Sequence, residues 1–420
     1  MKLRHQQMCT CSLILGAVAL NFSLSGACNP MLAQQCHYLL ASSRPAMADG
    51  HALYVEPIIV KGEKGEVLIA GAPNYQWSLT GRAWHSRANA LIGILVADPT
   101  HAAIIPPPPK LHHPYAIRAI PLGNRTWGFL LGERAAHDST FLAPTNPARI
   151  WYAEWKGTNW IKVEAIPFAN PEVLLTSFSS DLIARNGEIH WVVPIADGIG
   201  RHIVEFRRGV HGWSARRRYT PPAAYAAAEI LTSDSLIIAV VAADTTLPSD
   251  KNSLFLMSGS DKYKRIARGG AGNVVRSPQM LADSQRVRLY WLVDREANRP
   301  TFDFYTAAIS GDHPLKPMLV KASVRHAVAV RSWGEDVAVI QPLDGSEVRH
   351  VMIATAKGVD RLQGLSFDAF VGAGDDGRGH LYIVGPRRGR LSKDPPVATY
   401  VAVVKRSCRP LANERVMGSH

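Results

Sequence analysis

Arg118, Arg276 and Arg325 stand in or at the start of extended apolar segments, each roughly ten residues ahead of the next apolar run of the same repeat. A guanidinium is planar and permanently charged, and its fork of donors suits a carboxylate or a phosphate. Three of them brought together would repel one another unless an anion or carboxylates lay between them. Their recurrence therefore predicts an anion-binding centre, with Asp181 as a polar neighbour. Arginines in such places also bond to turn carbonyls, and that outcome is left open.

Other chemistry is excluded at the level of local motifs. Gly372, Gly374 and Gly377 match the G-x-G-x-x-G spacing of a dinucleotide loop, but Arg378-Gly379-His380 leads into another strand instead of a helix, so the segment reads as a hairpin turn. Asp375 and Asp376 are adjacent carboxylates without a spaced calcium loop. The chain has no H-E-x-x-H, no G-x-S-x-G and no paired C-x-x-C. His112 and His113 face opposite ways if the segment is extended. No metal site and no cofactor is expected.

The elements that must position the arginines repeat along the chain. Short runs rich in Val, Ile, Tyr and Trp, bounded by Gly, Asp, Asn and Pro, occur in pairs: 67–70 with 90–96, 127–131 with 150–155, 189–193 with 202–206, 236–241 with 254–257, 287–293 with 302–308, 337–340 with 348–355, and 381–384 with 399–404. A hairpin recurring about every 50 residues is the mark of a radial array of sheets. The fold class is all-β, a β-propeller of four-stranded antiparallel blades. Seven pairs predict seven blades, and six blades with one irregular hairpin remain the alternative. Innermost strands are placed at 115–122, 174–184, 226–231, 274–281, 324–330 and 367–371, and outer strands at 159–166, 213–219 and 262–267. Trp160 and Trp213 are expected to wedge one blade against the next. The last repeat shows three strands, so a strand from the N-terminal region is expected to complete it.

The domain plan is a single propeller over 49–408, a tail over 409–420, and a secretory signal over 1–27, with Lys2, Arg4 and His5 ahead of an apolar run and cleavage as late as 48 left open. The protein is expected to be exported, periplasmic or secreted, and a lipid anchor at Cys28 would be its one link to a membrane. Export permits disulfides, and Cys408 is expected close to Cys36 or Cys28. A composition of 47% hydrophobic and 19% charged residues excludes a disordered chain. The net charge of +13 favours an anionic partner. The charge is spread thinly, however, with clusters at Arg216 to Arg218 and around Arg387 and no aromatic interleaving, which argues against specific nucleic-acid binding.

Residues 150–160, IWYAEWKGTNW, resemble the Asp-box of the sialidase superfamily, S-x-D-x-G-x-x-W, which lies on the turn between the third and fourth strands of a blade. Gly157 and Trp160 keep the family spacing, without its Ser and Asp. After Gly209 the tryptophan, Trp213, comes one place late. Arg118-Ala119-Ile120-Pro121 is similar, with one residue inserted, to the Arg-Ile-Pro segment that carries a carboxylate-binding arginine in that family. The resemblance implies a propeller and an acidic sugar. The family's tyrosine nucleophile, its glutamate and its acid/base aspartate find no residue-by-residue match. The function expected is noncatalytic binding of a glycan or other ligand, or scaffolding of another exported protein. A glycoside hydrolase or lyase acting on an acidic sugar is the alternative, and would bring two carboxylates or a Tyr-Glu pair into one polar pocket.

Overall fold

The structure is a computed structural model that describes residues 34–45, 57–71, 93–98, 101–111, 114–133, 149–167, 181–197, 200–219, 237–243, 252–257, 263–269, 275–282, 287–295, 301–310, 316–343, 349–356, 358–367, 371–387 and 398–410, with two- and three-residue strands between them. None of these residues is helical. Each sheet is built up and down from consecutive strands. The first contains Ile58–Lys61, Val67–Ala70, Gly93–Asp98 and His101–Ile105. The second contains Tyr115–Gly123, Thr126–Glu133, Arg149–Lys156 and Asn159–Ala165. In the third, Val173–Leu174 and Asp181–Arg185 both pair with Glu188–Asp197, followed by Gly200–Gly209 and Gly212–Tyr219. The fourth is Ile230–Thr232, Ile238–Ala243, Asn252–Met257 and Tyr263–Arg268.

An eight-stranded sheet then runs from Val275–Ala282 to Gly358–Phe367. Its middle strand, Met318–Ser332, belongs to two neighbourhoods: Met318 to Val324 pair with Phe302–Ser310, and Val324 to Ser332 pair with Glu335–Pro342. Ser323 turns the strand between these partners with a left-handed φ of 57°, its amide held by Asp303 Oδ1 at 3.2 Å. The last sheet is Gly372–Asp375, His380–Arg387 and Ala398–Pro410, with Gln34–Pro45 added outside Ala398–Pro410. The expected N-terminal strand thus completes the last sheet. It is supplied by residues ahead of 49, whereas Ile58–Lys61 is the first strand of the first sheet. Cys36 and Cys408 are both disulfide-bonded, while Cys28 lies outside the described residues, as do His112 and His113.

The core lies between sheets. Val67 and Ile69 enter the cluster shared with the last sheet, and Leu68 and Ala70 enter the one shared with the second. The same division holds for Trp191 and Val193 against Val192, for Tyr290 and Leu292 against Leu289 and Trp291, and for Tyr382 and Val384 against Leu381 and Ile383. A strand buried on both faces must be apolar at every position, so these segments read as continuous apolar runs without alternation. The outer strand Asn159–Ala165, packed on one face, alternates between exposed and half-buried residues. Sheet by sheet the clusters pass from the first to the last and then back to the first, where Tyr382, Val401 and Val403 meet Val67, Ile69 and Ile94. The chain is therefore an all-β propeller.

Ring closure explains the glycine motif. The expected innermost strand at 367–371 is displaced: Phe367 ends the preceding outer strand, and the first strand of the last sheet is Gly372–Asp375 itself. A Cβ on Gly372 would lie 2.2 Å from the carbonyl oxygen of Pro57, and one on Gly374 would lie 2.3 Å from Ile59 Cγ2. Only glycine lets these two first strands approach so closely. The turn is the remainder of the motif. Asp376 accepts the amides of Arg378 and His380 at 2.7 and 3.1 Å and lies 2.7 Å from His380 Nδ1, and Asp375 accepts from Ser332 Oγ and the Gly377 amide at 2.7 and 2.8 Å. These carboxylates close a hairpin.

Candidate functional site

The three arginines occupy one structural position repeated three times. Each lies on the first strand of its repeat, opposite the last third of the second strand, at an irregularity of pairing. Between Ala116, paired with Leu131, and Arg118, paired with Leu130, Ile117 is the extra residue. Between Arg276, opposite Leu292, and Gln279, opposite Tyr290, two residues face one, and Ser277 takes a left-handed φ of 46°. Arg325 is itself the extra residue, between Val324 opposite Pro342 and His326 opposite Gln341. A β-bulge bends the strand and re-aims the side chain that it carries.

Around the arginines the contacts differ. Arg118 Nη1 donates to the carbonyl of Ile117 at 2.7 Å, the backbone bonding that was left open. Arg276 is exposed, and its guanidinium lies 5.5 Å from the centre of the Phe302 ring. Arg325 is half-buried and follows directly on Val324. Asp181 opens the first strand of the third sheet, next to the sheet that carries Arg118, and its Oδ1 accepts the Leu182 amide at 2.9 Å. Two polar side chains not anticipated from sequence brace this level. Gln279 donates to Ala327 O at 2.9 Å and accepts from Ala329 N at 2.6 Å, and buried His326 has Nε2 2.9 Å from Val371 O. Nothing in their local sequence marks them, because their partners are 45 to 50 residues away.

Tyrosine-carboxylate pairs are present, and their chemistry can be judged. Tyr152 donates to Glu154 at 3.1 Å, Tyr219 to Glu205 at 3.2 Å and Tyr290 to Asp336 at 3.0 Å. Burial first, and then the charge of Glu154, push the Tyr152 hydroxyl far above its ordinary range, and Arg208 only partly offsets this. Tyr290 is raised in the same way by burial and then by Asp336. A nucleophilic phenolate needs the opposite shift. The carboxylates are also engaged elsewhere: Arg208 bonds Glu164 and lies 3.4 Å from Glu154, and His190 Nδ1 is 2.7 Å from Glu205. These pairs bond strands and sheets to one another.

Trp160 and Trp213 are wedges, as expected. Trp160 packs on Phe129 and Trp155 at 5.3 and 5.1 Å between ring centres and donates to Pro106 O at 2.9 Å. Trp213, of the third sheet, meets Tyr152 of the second edge-on at 5.4 Å.

No protein-family model matches the chain, and no curated protein matches its sequence. Among solved structures, a protein of unknown function from Dyadobacter fermentans aligns with a TM-score of 0.50 at 10% identity, over 88% of this chain and 99% of its own. An oligogalacturonate lyase in complex with manganese aligns at 0.48 and 9% identity, over 88% of this chain and 96% of its own. A subtype N11 neuraminidase-like protein of A/flat-faced bat/Peru/033/2010 aligns at 0.41 and 9% identity, over 90% and 95%. At such identities what this chain shares with the first of them is the fold.

Proposed function

We propose that the protein is an exported, noncatalytic recognition propeller that binds an acidic ligand, an acidic glycan by preference, at the end of the ring where the first strands begin. The observation that carries this reading is the placement of Arg118, Arg276 and Arg325 at irregularities on the same level of three first strands. The reading also takes the ring to have seven blades. The eight-stranded sheet then counts as two, because Tyr290 and Phe304 share a core with Ala327 and Ile340 across the turn at Ser323. The raised, hydrogen-bonded tyrosines favour binding over hydrolysis.

The test is calorimetric titration of the full chain with galacturonate and with N-acetylneuraminate. A charge-assisted hydrogen bond is worth about 1.5–3 kcal/mol, so R118A, R276A and R325A should each weaken binding at least tenfold. Unchanged binding in all three variants sinks the reading. Release of reducing or unsaturated sugar from an acidic oligosaccharide would replace it with the hydrolase or lyase alternative.

A further inference from the structure

At the opposite end of the first strands, three hairpins from different sheets enclose a cleft of about 350 Å³ lined by Lys64, Glu66, Arg125, Trp127, Trp155 and Arg378. We propose that this cleft is a second binding site, independent of the arginines on the first strands, and that it takes a small hydroxylated anion such as a sugar phosphate or sugar acid.

The walls are built by turns locked to one another. The turn between Ile58–Lys61 and Val67–Ala70 is closed by Gly62 N donating to Glu66 O at 2.7 Å. Its Glu63 accepts the Asn124 amide at 3.1 Å from the first hairpin of the second sheet. Gly65, with φ of 77°, has no room for a side chain, because a Cβ would stand 2.1 Å from Arg378 Nε. The guanidinium from the last sheet thus lies against the backbone of the first. Arg125 takes a left-handed φ of 57° in a tight turn, a conformation unfavourable to residues other than glycine and asparagine, and its carbonyl accepts the Gly157 amide at 3.5 Å. A strained arginine at the rim of a cleft is a place where backbone energy is stored at a binding surface.

The charges decide what enters. Lys64, Arg125 and Arg378 all carry exposed side chains, and among the described residues none of them closes an ion pair. Glu66 lies among them, with Oε2 removed from solvent and without a hydrogen-bond partner. A desolvated carboxylate oxygen calls for a donor. Inorganic phosphate or sulfate would satisfy the cations but present mainly acceptors to Glu66, whereas a hydroxyl beside the anionic group supplies the missing proton. Trp127 and Trp155 give an apolar floor for the carbon face of such a molecule. The volume falls at the small end of ligand sites, about 300–1,000 Å³.

Glucose 6-phosphate is the probe, with glucose and inorganic phosphate as controls, titrated calorimetrically into the full chain. Hydrogen exchange over residues 62–66 and 123–127 reports occupancy of the cleft, and over 275–282 and 318–332 occupancy of the arginine-bearing first strands. Glucose 6-phosphate should bind at least tenfold more tightly than either control and protect the cleft peptides. K64A and R125A should each weaken it about tenfold, K316A should leave it unchanged, and E66Q should bring inorganic phosphate within about threefold of the sugar phosphate. Lys64 is exposed, so K64A tests the cleft even if a turn variant folds poorly. Inorganic phosphate binding as tightly as glucose 6-phosphate overturns the proposal, as does protection confined to 275–282 and 318–332, or unchanged affinity in K64A and R125A.

Discussion

The hydroxyl of Tyr290 donates to Asp336 across 3.0 Å, joining second strands that belong to the two halves of the eight-stranded sheet. Arg288 Nε and Arg331 Nε lie 3.1 and 2.6 Å from the same carboxylate, close but poorly aligned for hydrogen bonds. Removing the hydroxyl leaves Asp336 its two cations, so Tyr290→Phe should destabilise by about 1 kcal/mol. Asp336→Ala strands both guanidiniums and the phenol and should cost about 2–3 kcal/mol. Urea denaturation of the two variants gives the order, and equal losses would contradict the arrangement.

Alkaline stability should follow the buried phenols. Tyr38, bonded to Glu335 at 3.2 Å, is pushed up to about 12 by burial first and then by Glu335. An unfolded tyrosine releases its proton near pH 10. The proton is held more tightly in the folded state, so this contribution is complete below pH 10 and is lost as pH rises toward 12. Denaturation midpoints measured from pH 8 to 11.5 should fall above pH 10, and Tyr38→Phe should fall less steeply than the parent.

Arg125 is held in a conformation that glycine adopts freely. Arg125→Gly should raise stability by about 0.5 kcal/mol, the relief of the left-handed turn being partly offset by greater freedom of the unfolded chain. It should also weaken glucose 6-phosphate binding. A thermal midpoint that drops would show that the side chain is needed for folding.

Gly372→Ala places a methyl group 2.2 Å from a backbone oxygen, in a ring that closes through that contact. Overpacking costs about 1–3 kcal/mol, and a clash with backbone falls at the upper end or beyond. Gly209→Ala, whose nearest neighbour would be a flexible carboxylate oxygen 3.8 Å away, is the matched control and should cost less than about 0.5 kcal/mol. Calorimetric melting of the pair separates close approach from loss of glycine as such.

What the sequence by itself determined was the repeat. Residues 67–70, 127–131 and 381–384 read as strands because each is buried on both faces, a condition that writes itself as an unbroken apolar run. Trp160 and Trp213 were recognisable as wedges for a related reason, since a large ring after a glycine turn has few other places to go. Gln34–Pro45 carries no such run, because a strand at the outer edge of a sheet needs apolar residues on only one face. Gly372–Asp375 was invisible as a strand because its side chains are deleted to admit Pro57 and Ile59. Tertiary structure alone decided that Arg118, Arg276 and Arg325 share a level at pairing irregularities, since register belongs to two strands and is written in neither. It alone also brought Lys64, Glu66, Arg125 and Arg378 to one cleft: these residues sit on hairpins of three sheets, and it is closure of the ring that sets the last sheet beside the first.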